Sequence, residues 1–313
     1  MSIPTVYSFI RYLAAKKSVD DRALNRHVWQ RLVEALPLAT PARPLRILEV
    51  GAGIGTMVER VLEQKVLTYA TYTAIDTDPN TMAEACQRLP RWAADRGFRV
   101  REEGRGRLRL QHDGQDIRIE TETIDLFDFI GRERGTRVWD LCIAHAVLDL
   151  LNVPAALPSL FSVLRPGGLF YCTVTFDGAT IFQPEIEPVL DTQIEALYHQ
   201  TMDSRRVTGR PSGDSRAGRH LFGQVRAAGA ELCAAGSSDW VVFAGPEGYP
   251  ADEAYFLHFI LHTIYTALAG HPQLDAERFA TWITERHTQV EQGTLVYIAH
   301  QLDFLGCLPS DLK

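Results

Sequence analysis

The sequence has no excess of positive charge, no apolar run of membrane-spanning length and no paired cysteine spacing. Its 39 acidic against 32 basic side chains leave a formal charge of −7 over 313 residues. That balance weighs against a nucleic-acid surface spread over the whole protein and favours a small molecule or a protein as substrate. No apolar stretch is long enough to cross a bilayer, and Arg11, Lys16 and Lys17 interrupt any apolar region that a secretory signal would need. The five cysteines, Cys86, Cys142, Cys172, Cys233 and Cys307, lie far apart with no C-x-x-C pair, and their odd number leaves one without a partner, as in reduced thiols. His258 and His262 have the i, i+4 spacing of a metal pair, yet Phe259, Ile260 and Leu261 stand between them and the glutamate of H-E-x-x-H is missing, so no metal is expected. A soluble, cytoplasmic protein is the expectation.

A hydrophobic content of 46% is ample for a packed core, and the length calls for one large domain with insertions or a domain plus a cap. The chain is organised around Leu45 to Thr56. The run Leu45 to Val50 is apolar and β-branched enough for a central parallel strand, and Gly51, Gly53 and Gly55 let the backbone turn sharply and approach a ligand. A helical pattern begins at Met57, so unsatisfied N–H groups at a helix start face whatever sits on the turn. A dinucleotide fingerprint, G-x-G-x-x-G, needs its third glycine at Thr56. Here it comes one residue early, giving Glu49-x-Gly51-x-Gly53-x-Gly55.

This string resembles motif I of the class I S-adenosylmethionine-dependent methyltransferases, in which an acidic residue precedes the glycine turn. Four further landmarks of that family follow in order. Tyr69 to Ile75 reads as a strand ending at Asp76, where the resemblance implies a carboxylate accepting from both ribose hydroxyls; Asp78 competes but suits a helix cap. Asp125-Leu126 stands where the family places an acidic side chain near the adenine amino group and a backbone N–H near the ring. Val138 to Ala144, containing Trp139-Asp140-Leu141, reads as strand four and leads into His145, beside the methyl group in the resembling fold. Arg165-Pro166-Gly167-Gly168 is the turn into strand five, Leu169 to Phe176. The resemblance implies a doubly wound, seven-stranded, mostly parallel α/β sheet of Rossmann-like type with helical cap insertions. It also implies S-adenosylmethionine as methyl donor and S-adenosylhomocysteine as product.

The remaining chain is divided accordingly. Residues 1–44 form an N-terminal helical lid, 45–180 the core with a hairpin elaboration at 97–116, and 181–313 strands six and seven with cap insertions at about 184–218 and 250–292. In the lid, Val6, Phe9, Ile10 and Leu13 mark a short helix that stops before Lys16-Lys17-Ser18, and Asp20 or Asp21 caps a second one through Leu24, Val28, Leu32 and Leu36. Tyr7 and Arg11 share a face of the first helix, so Arg11 is placed to reach the methionine carboxylate; a solvated arginine is the alternative. The arginines of the hairpin, Arg99, Arg101, Arg105, Arg107 and Arg109, read as a solvated sheet face, or else as a docking strip for RNA. Strand six is expected around Glu231 to Ser237 and strand seven at Thr294 to Ala299.

The expected reaction is methyl transfer to an oxygen or nitrogen of a small-molecule acceptor. No Asn/Asp-Pro-Pro-Tyr motif follows strand four, which removes the usual signature of amino methylation on nucleic-acid bases, and no Pro-Cys pair is there to attack cytosine. His145 is the first candidate for a general base and His262 the second. Phe259, His262 and Tyr265 on an apolar helix, and Arg216 in the Arg205 to Arg219 loop, are the candidate acceptor contacts. The cap helices could equally form a homodimer interface. Two other readings stay open: an RNA or protein methyltransferase, and a protein that binds S-adenosylmethionine without methylating.

Overall fold

The computed structural model describes residues 3–207 and 209–310. Helix α1 (Phe9–Ala23) runs straight through Lys16-Lys17-Ser18, where the sequence pattern places a break. Lysine and alanine are good helix formers, and Lys16–Asp20 and Lys17–Asp21 pair at i, i+4, with distances of 2.6 and 2.7 Å. Asp20 and Asp21 are therefore interior residues of α1. The break comes at Leu24, and Asn25 caps α2 (Arg26–Ala35) by accepting the Val28 N–H.

Strand β1 (Leu45–Val50) is buried everywhere except Arg46, as a central strand covered on both faces must be. The glycine turn leads into α3 (Thr56–Glu63), β2 (Tyr69–Asp76) and α4 (Pro79–Asp95). Asp78 caps α4 by accepting the Asn80 N–H, and Pro79 occupies the first helical position, where no N–H is needed. Strands β3 (Arg99–Gly104) and β4 (Arg107–His112) form an antiparallel meander into β5 (Gln115–Thr123). Helix α5 (Leu126–Glu133) precedes β6 (Trp139–His145), and a 3₁₀ turn at Leu148–Leu150 and α6 (Val153–Phe161) lead to β7 (Leu164–Val174). The Pro166-Gly167-Gly168 segment lies inside β7, looped out of register where Trp139 faces Leu164 but Leu141 faces Leu169.

Beyond the core come β8 (Thr180–Gln183), α7 (Pro188–Asp203), the short pair β9 (Arg206–Val207) and β10 (Arg210–Pro211), and α8 (Ala217–Ala227). Strand β11 (Glu231–Val242), α9 (Glu253–Leu268), α10 (Ala276–Glu291) and β12 (Val296–Cys307) complete the chain.

The sheet order is β11-β12-β7-β6-β1-β2-β5-β4-β3, with β8 paired to the first part of β12. Strands β5, β2, β1, β6 and β7 are parallel, β12 runs antiparallel to β7, and β11, antiparallel to β12, runs in the direction of the core strands again. The sheet thus has ten strands where seven are expected. The expected seven are β5-β2-β1-β6-β7-β12-β11, the two strands of the hairpin extend one edge, and β12 outruns β7 far enough to accept β8. The strand order reverses at β1, which lies between β2 and β6, so a crevice opens at the carboxyl ends of β1 and β6. Over that edge α1 packs on α9, with α7 against α9 beside it. A second apolar core, containing Tyr255, Phe256, Ile194 and Trp282, joins these helices to α10. No helix among the described residues is long and apolar enough to cross a membrane.

Candidate functional site

The crevice holds a cavity of about 300 Å³. Its floor is the end of β1 with the turn Gly51 to Thr56, and the end of β6 with His145 and Ala146; its roof comes from α1, α7 and α9. Gly51 adopts φ +68°, and a Cβ there would lie 2.6 Å from the Val147 side chain, so only glycine fits. Gly53, at φ +54°, donates its N–H to Asp76 Oδ2 at 2.8 Å, and Asp78 donates its N–H to Asp76 Oδ1 at 2.9 Å. These bonds fix the Asp76 carboxylate at the end of β2 and leave each oxygen a further lone pair.

Glu49 lines the cavity although it is only 1% exposed, and accepts a hydrogen bond from the Tyr72 hydroxyl at 2.8 Å. Burial pushes its pKa up to about 8, against the opposing effects of the Tyr72 bond and Arg60. Asp125 caps α5 by accepting the N–H groups of Phe127 and Asp128, and the Leu126 N–H at the first helical position has no intrahelical partner. Neither Asp76 nor Asp125 lines the cavity itself; both stand at neighbouring strand ends, after β2 and β5.

His145 is buried at the end of β6, and both ring nitrogens are engaged. Nδ1 meets Thr173 Oγ1 at 2.5 Å and Nε2 meets Asp20 Oδ2 at 3.2 Å. Burial pulls its pKa down to about 4, although Asp20 pulls the other way. Burial alone would raise the Asp20 pKa, but the Lys16 ammonium and His145 outweigh it and hold Asp20 well below the usual carboxylate range. An ionised Asp20 accepts, so Nε2 carries the proton and Nδ1 accepts a hydrogen bond from the Thr173 hydroxyl. In this arrangement both ring nitrogens of His145, the first candidate base, are committed to Thr173 and Asp20.

His262 lies outside the cavity lining and stacks on Tyr7, with ring centroids 4.0 Å apart and planes 3° apart. Arg11 is likewise directed elsewhere: its guanidinium makes bonds of 2.7 and 2.8 Å to Asp252 and lies 3.9 Å from the Tyr255 ring centre. Tyr265 is exposed and stacks on Phe279, and Arg216 is exposed at the start of α8. Of the four expected acceptor contacts only Phe259 lines the cavity, stacked 4.3 Å from Tyr12. His258 faces His287, Nδ1 to Nδ1 at 2.8 Å.

The cavity instead brings in residues that the sequence pattern did not single out. Lys16 and Asp20 lie one helical turn apart on α1, and Trp240 Nε1 donates to Asp20 Oδ1 at 3.1 Å. Tyr12, Tyr198 and Tyr297 converge from α1, α7 and β12, and burial raises the pKa of each, that of Tyr198 to about 12. Asp149, in the 3₁₀ turn after β6, stands in the wall with Oδ1 shut from water and without a hydrogen-bond partner among the described residues.

Residues 48–170 match the family model described as a methyltransferase domain. No curated protein sequence matches the chain. Among solved structures the chain is similar to a candidate methyltransferase from Bacillus halodurans C-125, at 10% identity over 91% of this chain and 100% of that one, with a TM-score of 0.49. It is also similar to Haemonchus contortus phospholethanolamine N-methyltransferase 2 in complex with phosphomonomethylethanolamine and S-adenosylhomocysteine, at 12% identity over 98% of this chain and 61% of that one, with a TM-score of 0.45.

Proposed function

We propose, from the premise that residues 48–170 are a class I S-adenosylmethionine-dependent methyltransferase domain, that this enzyme methylates an oxygen or nitrogen of a small-molecule acceptor held in the roofed cavity. The observation that carries the reading is the enclosure: the cavity beside the glycine turn is covered by α1, α7 and α9 and walled by Tyr12, Phe176, Tyr198, Phe259 and Tyr297. A roofed chamber with aromatic side chains in its wall takes a small ligand rather than a folded surface.

The residues present fit the methyl donor. The free lone pairs of Asp76 suit a ribose diol, the Asp125 carboxylate and Leu126 N–H suit the adenine edge, and the Gly51 and Gly53 backbone permits close approach. Glu49, on giving up the proton that burial makes it hold, answers the donor's ammonium group, and Lys16 rather than Arg11 supplies the cation for its carboxylate, because Lys16 lines the cavity and keeps N–H donors beyond its bond to Asp20. When bound, S-adenosylmethionine supplies an electrophilic methyl group on a positively charged sulfur. The protein then has to align the acceptor's nucleophile with that methyl group and exclude water, which the roof helices serve.

The RNA or protein reading loses support at the hairpin. Of its five arginines Arg109 is bound to Asp116 at 2.6 and 2.8 Å, and the hairpin occupies the sheet edge away from the crevice. Incubating the enzyme with methyl-tritiated S-adenosylmethionine and cell extract, then separating small molecules from macromolecules, tests the proposal. Label is expected in the small-molecule fraction. Label confined to RNA or protein, or no transfer at all, would contradict it.

A further inference from the structure

The cavity contains one acidic group that its own walls do not answer. Lys16 is paired with Asp20 at 2.6 Å, His145 is uncharged at neutral pH, and Asp214 accepts from the His220 ring at 2.7 Å and the Arg216 N–H at 2.8 Å. Asp149 is in no ion pair among the described residues, and its Oδ1 has neither water contact nor partner. Arg205, the other charged side chain nearby, stands on the exposed rim. Tyr12 and Tyr198, whose ionisation the Asp149 charge opposes, line the same cavity, as does Tyr297. A carboxylate under-compensated by its surroundings, set among phenol oxygens and ring faces, is the chemistry that receives an ammonium group.

We propose that Asp149 binds a protonated primary or secondary amine, so that the acceptor class is an amine and not an alcohol or a phenol. The proposal rests on the methyl-transfer reading above and specifies its acceptor. An ammonium supplies the positive charge and the N–H donors that the Asp149 carboxylate lacks, and the tyrosine hydroxyl oxygens can accept its remaining N–H groups, whereas an alcohol supplies no charge. The amine must lose a proton before it can attack, and the Asp149 carboxylate takes it. The nitrogen lone pair then forms the N–C bond while the C–S bond breaks with its electron pair going to sulfur, which becomes an uncharged thioether. The product leaves as a methylated ammonium, and Asp149 gives up its proton once the emptied cavity admits water.

Calorimetry on the intact protein saturated with S-adenosylhomocysteine tests this through two isosteric pairs, benzylamine with benzyl alcohol and butylamine with butan-1-ol, near neutral pH. The amines are expected to bind at least about tenfold more tightly than their alcohols. Asp149→Asn should erase that preference and leave S-adenosylhomocysteine affinity unchanged. The wild-type comparison stands even if the variant does not fold. Alcohols binding as tightly as amines, binding by no member of either pair, or a preference that survives in Asp149→Asn would overturn the assignment. A wild-type protein that does not bind S-adenosylhomocysteine would instead overturn the methyl-transfer reading, and the amine proposal with it.

Discussion

Burial sets the charge of two side chains at the crevice in opposite ways. Glu49 is pushed from its ordinary 4.5 up to about 8, so the folded protein keeps a proton that the unfolded chain gives up. Stability from this group is therefore full below pH 4.5 and lost as the pH rises through 8. His145 is pulled from 6.5 down to about 4, so the folded protein refuses a proton that the unfolded chain takes. Its contribution is present above pH 6.5 and lost as the pH falls through 4. Denaturant midpoints across this range should show Glu49→Gln flattening the alkaline decline and His145→Gln flattening the acid one. Unchanged profiles would mean that neither group is shifted as described. Glu49, Gly51, Gly53 and Asp76 could be read from the sequence because each sits at or just after the end of a strand whose apolar pattern is unambiguous. Tyr198, Tyr297 and Asp149 could not, since they meet only through packing of α7, β12 and the turn after β6, which carries no local signal.

The helices of the roof act as a connected set. Glu253, fully buried at the start of α9, accepts from Ser18 at 2.6 Å and from Arg22 at 2.5 and 2.8 Å, and Ser8 donates its N–H to the Tyr255 hydroxyl. Removing Arg22 leaves much of a buried carboxylate's charge unanswered. Arg22→Ala should destabilise the docking of α1 on α9 by about 1–3 kcal/mol, seen as faster amide exchange in α1 while α4 and α5 keep their protection. Equal loss of protection in all three helices would show global destabilisation instead. The continuity of α1 explains why part of the site escaped the sequence reading. Lys16-Lys17-Ser18 resembles a linker, and dividing the helix there hides the one-turn spacing that brings Lys16 and Asp20 to the same cavity.

At the scale of the whole molecule, the parallel strands and their reversal at β1 place the site, and the insertions decide what can enter it. The order of strands was legible because each core strand is a short apolar run ending in a recognisable turn. The count was not: β3, β4 and β8 are added at edges, where pairing depends on how far neighbouring strands extend. The account stands most directly on the methyl donor binding at the glycine turn, with Asp76 as the ribose acceptor. Titration calorimetry of S-adenosylmethionine into the wild type and Asp76→Ala measures this without any knowledge of the acceptor. One donor molecule is expected to bind per wild-type chain, with affinity reduced more than about tenfold in a folded Asp76→Ala variant. Absence of binding to the wild type, or unchanged affinity in the variant, would contradict the account.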